Sequence, residues 1–454
     1  MDGTALVAQF IAGTRWELLP PAVQRKARLT LLDALGAALA GLQAPVARIT
    51  AEFAEETWPG EQATILCSGR RASAAGAAFA NGYAANAIDI DDCALYTKGH
   101  PGAQIFPTAL ALSEALGRSG AEMLAGMVVG YEVAHRAARI WHATHREYQA
   151  CGSWGSVACA AVASHLMGLP PAQIQHALGI AEYHAPNLPM MRDIDHPAMV
   201  KHGIGWGAMN GILSAQLAAR GFTGIPSLFS LETYADWVSD IGRHFIMVDG
   251  VIFKTYCACA WGHASFDAAR RLVDEHHIRI EDISHIRIET FHNAVRLGAN
   301  LPATTEEAQF NVAWPLACLL VDGEIGPAQV LEKRLQDERL RELASKVELV
   351  ESPEYTALYE KMARGEAGGK YLSSVTITLR DGRTFRSGPV EGNIAYPQPW
   401  DEEKAERKFR WLAGRLLPAD FIEQVLEAVR QFEALPDVRP FAAALCEHLP
   451  RTTG

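Results

Sequence analysis

Three stretches set alanine and glycine at helical spacing: "ASAAGAAFANGYAANAIDI" over 72–90, "AEMLAGMVVGYEVAHRAARI" over 121–140 and "SVACAAVASHLMGL" over 156–169. Small side chains on helix faces let helix axes approach closely, since axis separation follows the size of the contacting residues. A chain written this way packs helix on helix, and the pattern predicts a tight all-α body. Ahead of it, "PPAVQRKARLTLLDALGAALAGL" places Val23, Ala27, Leu31, Leu32, Leu35 and Ala38 on one helical face. A further helix is expected over 206–220, stopped at Gly221 in "ARGFTG".

The texture changes near Ile278. "ISHIRIETF" alternates with period two, as a half-buried strand does. "SSVTITLRDGRTFRSGPV" gives two such runs about Asp381-Gly382, a hairpin signal. Helical patterns lie between them, in "VAWPLACLLVDGEI" and "VLEKRLQDERLRELASKV", and resume in "DEEKAERKFRWLAGRLL" and "FIEQVLEAVRQFEAL". The expected architecture is mainly α with an inserted α+β domain. A large discontinuous all-helical domain is formed by 1–269 and 401–454, with a smaller α+β lid domain over 270–400.

A chain of 454 residues can bury a large core without staples. Its net charge of −11 argues against general nucleic-acid binding but leaves room for a locally basic pocket. The eight cysteines are scattered, with no secretory signal ahead of them, and read as reduced thiols of a cytoplasmic protein. No apolar run is long enough to span a bilayer, so no membrane role is expected.

Four stretches carry candidate chemistry. "NAIDIDDCALYTKGHPG" sets Asp89, Asp91 and Asp92 ahead of His100 between apolar flanks. Carboxylates in such a setting are expected to be buried and paired, and an imidazole beside them is a tunable acid/base near neutral pH. The plain alternative is a solvated loop of helix-capping aspartates. Metal binding is a weak reading, because no second histidine follows at helical spacing. "MVKHGIGWGAMNG" puts Lys201 and His202 just before a helix start, a setting that suits a carboxylate or phosphate. "FKTYCACAWGHASFDAA" places Lys254 and His263 about Cys257 and Cys259. Two thiols fall short of a zinc or cluster site; a reactive cysteine or an inert buried one are both open there. "WHATHREYQACGSWG" sets His142, His145 and Arg146 before a glycine-rich helix entry. No phosphate-binding glycine loop follows a strand, so a nucleotide cofactor is not expected.

Taken in order, "GYAANAIDIDDCALYTKGHPG", "MVKHGIGWGAMNGILSAQLAARGFTG", "FKTYCACAWGHASFDAA" and "EEAQFNVAWPLACLLVDGEIG" resemble the MmgE/PrpD family over nearly the whole chain. That family contains 2-methylcitrate dehydratase, cis-aconitate decarboxylase and iminodisuccinate epimerase. The resemblance implies a large all-α domain with an α+β lid, a homodimer, no metal, no organic cofactor and a small anionic substrate held between the domains. It assigns catalytic roles to His100, Asp89, Asp91, Lys201 and Lys254, and substrate contacts to Arg146, His145, His202, Cys259, His263 and Trp314. The chain departs from the decarboxylase branch in several places. The spacer before His100 is one residue longer, Cys93 stands for a threonine, and Arg146, with His145 adjacent, replaces a histidine. Cys259 replaces a further histidine, and Trp314 a tyrosine. The activity implied is a cofactor-independent lyase, foremost a dehydratase of a di- or tricarboxylate, acting by proton abstraction next to a carboxylate. An epimerase on the same site and a non-catalytic anion-binding homologue are the alternatives. Lys201, Lys254, His100 and Arg146 are expected to converge on one basic pocket.

Overall fold

A computed structural model describes residues 2–94, 96–392 and 401–449, which are mainly α-helical with small sheets. The expected domain edge at residue 400 and residues 450–454 lie outside the described residues. Proline starts the helices Pro21–Gly41, Pro45–Thr57 and Pro171–Tyr183, where its missing N–H deprives the helix of no bond. The helix Ile204–Ala219 lies against Cys151–Leu166, Ala74–Asn86 and Pro171–Tyr183. Small residues are a steric requirement there. A Cβ on Gly211 would stand 2.4 Å from Cys159 Cβ and 2.6 Å from the Ala160 nitrogen. Beyond the helix the chain turns at Gly221, in the left-handed region at φ +90°, as its composition predicts.

The strand Ile283–Thr290 pairs in parallel with Val347–Glu351 and antiparallel with Leu372–Leu379. Leu372–Leu379 also carries Thr384–Arg386, across the expected turn at Asp381-Gly382, and Val390–Glu391. The helices His263–His276 and Pro353–Ala363 pack on this sheet. One stretch departs from its helical pattern. Over 331–347 the α-helix is confined to Glu338–Ala344, where Asp337 caps it by accepting from the Arg339 and Leu340 amides, and the chain then enters the strand Val347–Glu351. That strand is fixed by its long-range ladder with Ile283–Thr290, which a local periodicity does not display.

The helix Glu402–Ala413 returns to pack on Pro21–Gly41. From it, buried Lys408 pairs with Asp33 and donates to the Ile90 carbonyl at 2.9 Å. This returning helix thereby braces the loop that carries the aspartate cluster.

Candidate active site

Three loops meet at one place. The first leaves the helix Ala74–Asn86 and runs through Asp89 to His100, ahead of the helix Gly102–Leu116. Its Cys93–Ala94 segment pairs antiparallel with Val251–Ile252, which carries Lys254 to its side. The third is the turn Lys201–Gly203 at the head of Ile204–Ala219. Among the described residues, five non-glycine residues have positive φ, and four of them, Asp89, Lys98, Lys201 and His202, belong to these loops. Such conformations cost roughly 1–3 kcal/mol each and persist only where the surroundings over-determine them.

What over-determines them is a buried polar network. His100 Nδ1 lies 2.9 Å from the Asp92 carbonyl and 3.1 Å from Asp91 Oδ2, while its Nε2 lies 3.3 Å from Asp89 Oδ1. Asn86 Nδ2 holds Asp91 at 2.9 Å. Lys254 Nζ pairs with Asp89 Oδ2 at 2.9 Å. The His202 ring stacks on His100 with centroids 5.4 Å apart, and its Nδ1 lies 2.7 Å from Asp193 Oδ2. Lys201 Nζ donates to Gln309 Oε1 at 2.7 Å and stands 5.1 Å from the Phe310 ring centre. Gln309 donates in turn to the Ala87 and Thr305 carbonyls, tying this lysine to the aspartate loop.

The charges follow from these contacts. Burial disfavours a charged His100, but the Asp91 carboxylate and the Cys93 sulfur outweigh it and raise the imidazole well above its ordinary value. Burial likewise opposes the Asp89 anion, yet Lys254, His100, Lys201 and His202 together hold it below the usual carboxylate range. Asp193 is kept ionised against burial by His202. Asp92 has a different part. Burial and Asp33 push it up to about 7, and it accepts from Tyr131 Oη at 2.6 Å and from the Gly102 amide at 2.8 Å. It anchors the start of the Gly102–Leu116 helix.

The pocket beside this network is lined by His100, His202, Lys98, Cys93 and Cys259 among aromatic and apolar side chains. Tyr148, Trp261 and Phe310 come from the segments around the three loops, and Tyr359 and Tyr371 from the sheet side of the chain. His100, Asp89, Asp91, Lys201, Lys254 and His202 are thus gathered at one point. Both lysines, however, sit behind the pocket with partners of their own. His263 is buried too and does not line the pocket; it lies 3.1 Å from the Ala258 carbonyl, and burial beside Lys254 pushes it down to about 3. Trp314 is core, donating to the Gln329 carbonyl at 2.9 Å. His145 and Arg146 are exposed on the surface, with His145 stacked on Trp141, and neither lines the pocket. Burial raises the Cys259 thiol to about 12, which leaves it protonated and unsuited to nucleophilic attack.

Lys98 is a second cation that lines the pocket, beside the protonated His100, and nothing in its residue type announced it. It is half-buried, burial lowers its pKa, and among the described residues it has no carboxylate partner. The signal was available in its place two residues before His100, in the lengthened spacer. Asp89, His100 and His202 also offer ligand atoms within 4.8 Å of one another, a set that could hold a metal ion. Lys254 already occupies Asp89, and a protonated His100 has no lone pair to give, so a cation there would displace both.

Comparison with known proteins adds the family context. The MmgE/PrpD N-terminal domain model matches residues 5–240, and the MmgE/PrpD C-terminal domain model matches 256–433. The chain is 28% identical to human cis-aconitate decarboxylase over 459 positions, covering 96% of this chain and 92% of that protein. It is 23% identical to the cis-aconitate decarboxylase of Aspergillus terreus strain NIH 2624 over 488 positions, covering 97% and 95%. With 2-methylcitrate dehydratase of Escherichia coli K12 it shares 25% identity over 296 positions, covering 60% and 59%.

Proposed function

Because the chain belongs to the MmgE/PrpD family, we propose that it is a lyase that removes a proton from carbon next to a carboxylate and expels water from the adjacent carbon. The observation that carries this is the pair of stacked imidazoles, each backed by its own carboxylate. Asp193 against His202 Nδ1 fixes the tautomer whose Nε2 carries the lone pair, which makes His202 the base. His100, held protonated by Asp91, is the acid. The base takes the proton from carbon, the new double bond forms, and the departing hydroxyl leaves as water with the proton of His100. Asp89, fixed by Lys254, orients His100 and steadies its charge.

The same geometry weighs against the other outcomes. Rings 5.4 Å apart leave no room for a substrate between them, so both reach it from one side. Epimerisation needs proton return to the opposite face. Decarboxylation needs a proton donor but no carbon base, and would leave His202 without a part. The division into a helical body, 1–269 with 401–454, and an α+β lid over 270–400 fits this use, since Tyr359 and Tyr371 close the pocket from the sheet side.

Proton NMR of the purified protein with a panel of 3-hydroxy and unsaturated carboxylic acids in D2O tests the proposal. Loss of the hydroxyl-bearing carbon signal with a new vinylic proton is expected. Release of CO2, deuterium entry without elimination, or stabilisation by ligand without turnover would point instead to a decarboxylase, an epimerase or a binding protein.

A further inference from the structure

A compact tricarboxylate needs several cations, and besides the protonated His100, which serves as the acid, this pocket presents one among the described residues. Lys254 is spent on Asp89 at 2.9 Å and Lys201 on Gln309 at 2.7 Å, both beneath the pocket, while Arg146 lies outside it. Lys98 remains, its Nζ 5.8 Å from the centre of the Tyr148 ring, in a strained backbone with φ 49°. A second observation marks a ligand position. Tyr371, also in the pocket wall, is buried with a hydroxyl that has no hydrogen-bond partner. Buried polar groups are rarely left this way unless something fills the space. Apart from His100, His202 and two thiols, the rest of the wall is apolar or aromatic, Tyr148, Trp261, Phe310 and Tyr359 foremost.

We infer that the substrate is a carboxylic acid with one bulky apolar or aryl substituent, its carboxylate held by Lys98 and the Tyr371 hydroxyl and its substituent lodged among the aromatic rings. This rests on the pocket being the reacting site proposed above. Lys98 supplies the charge, and Tyr371 completes a hydrogen bond that the folded protein leaves open. The aromatic walls supply the area that carboxylate arms would otherwise have to provide.

The test compares two sets of acids on the full-length protein. Citrate, cis-aconitate and 2-methylcitrate form one; 2-benzylmalate and 3-hydroxy-3-phenylpropanoate form the other. Turnover is read by NMR and binding by thermal shift. The benzyl and phenyl acids are expected to have kcat/KM at least about tenfold above the tricarboxylates. Lys98→Met is expected to raise their KM about 10- to 100-fold, the worth of a hydrogen bond to a charged group, with a smaller change in kcat. Lys98→Arg should restore most of it. Tyr371→Phe, which removes only an unsatisfied hydroxyl, should raise KM without lowering the melting temperature. Better turnover of citrate or cis-aconitate, or an unchanged KM in Lys98→Met, overturns the inference and leaves the lyase proposal standing. Silence of every acid in the NMR assay, with 2-benzylmalate still stabilising the wild type but not Lys98→Met, does the reverse. Absence of both turnover and stabilisation by the aryl acids overturns it as well.

Discussion

His100 meets two carboxylates and a backbone carbonyl with its two ring nitrogens, and this arrangement keeps it protonated where an ordinary imidazole is neutral. As an acid, it should lose activity as pH rises through that elevated value. His100→Gln should lower kcat by roughly 10²–10⁴-fold, and the alkaline limb of the pH profile should vanish with it. Linkage gives a second readout. A histidine whose folded pKa is raised stabilises the fold fully below its unfolded value near 6.5, and that contribution is lost as pH rises through the folded value. The gap in melting temperature between wild type and His100→Gln should therefore narrow with rising pH. A variant with native turnover and an unchanged profile would make His100 structural. His100, Asp89 and Asp91 were legible in the sequence because ionisable groups framed by apolar residues must be paired, whereas Lys201 and Lys254 were singled out by a helix start and by the family resemblance. Lys98 left a trace only in the lengthened spacer, and Gln309 and Tyr371 left none, because their importance lies in what faces them across the fold.

Three loops supply the network, and each is held by the element behind it. The Lys201–Gly203 turn depends on Ile204–Ala219 staying close to Cys151–Leu166, and Gly211 sets that distance. Gly211→Ala should destabilise the protein by about 1–3 kcal/mol through overpacking, read as a lower urea midpoint; an unchanged midpoint would mean the helices can part at no cost. The convergence of Asp89, His100 and His202 invites a metal, but the Lys254 ammonium beside Asp89 opposes one. EDTA should leave turnover intact. Loss of activity restored by a divalent ion would transfer the chemistry from the imidazoles to the metal. At this level the helices and the hairpin were readable from period and turn residues. The strand Val347–Glu351 was not, since five residues after a charged helical run carry too little pattern to outweigh it.

At the scale of the whole molecule, an apolar stripe lies uncovered among the described residues. Trp206, Leu213 and Leu217 share a face of the helix Ile204–Ala219 and are 44%, 41% and 40% exposed, with Phe53 at 43% nearby, joined through Trp58. We propose that a second copy of the chain covers this face, forming the homodimer that the family resemblance implies. Trp206→Glu with Leu213→Glu should convert a dimer to a monomer in light scattering after gel filtration; a wild type already monomeric at micromolar concentration would remove the proposal. The stripe was visible in the sequence only as more helix, because nothing local separates a face that meets the core from one that meets a partner. The same helix opens on His202, so the proposed dimer face and the proposed base share one rigid element. Whether that base acts on carbon is decided by solvent deuterium. In D2O, wild-type protein should exchange or eliminate the proton next to the carboxylate of its substrate, and His202→Gln should do so at least about 100-fold more slowly. Exchange at the wild-type rate in His202→Gln, in a protein that still folds and binds, would contradict the proposed chemistry.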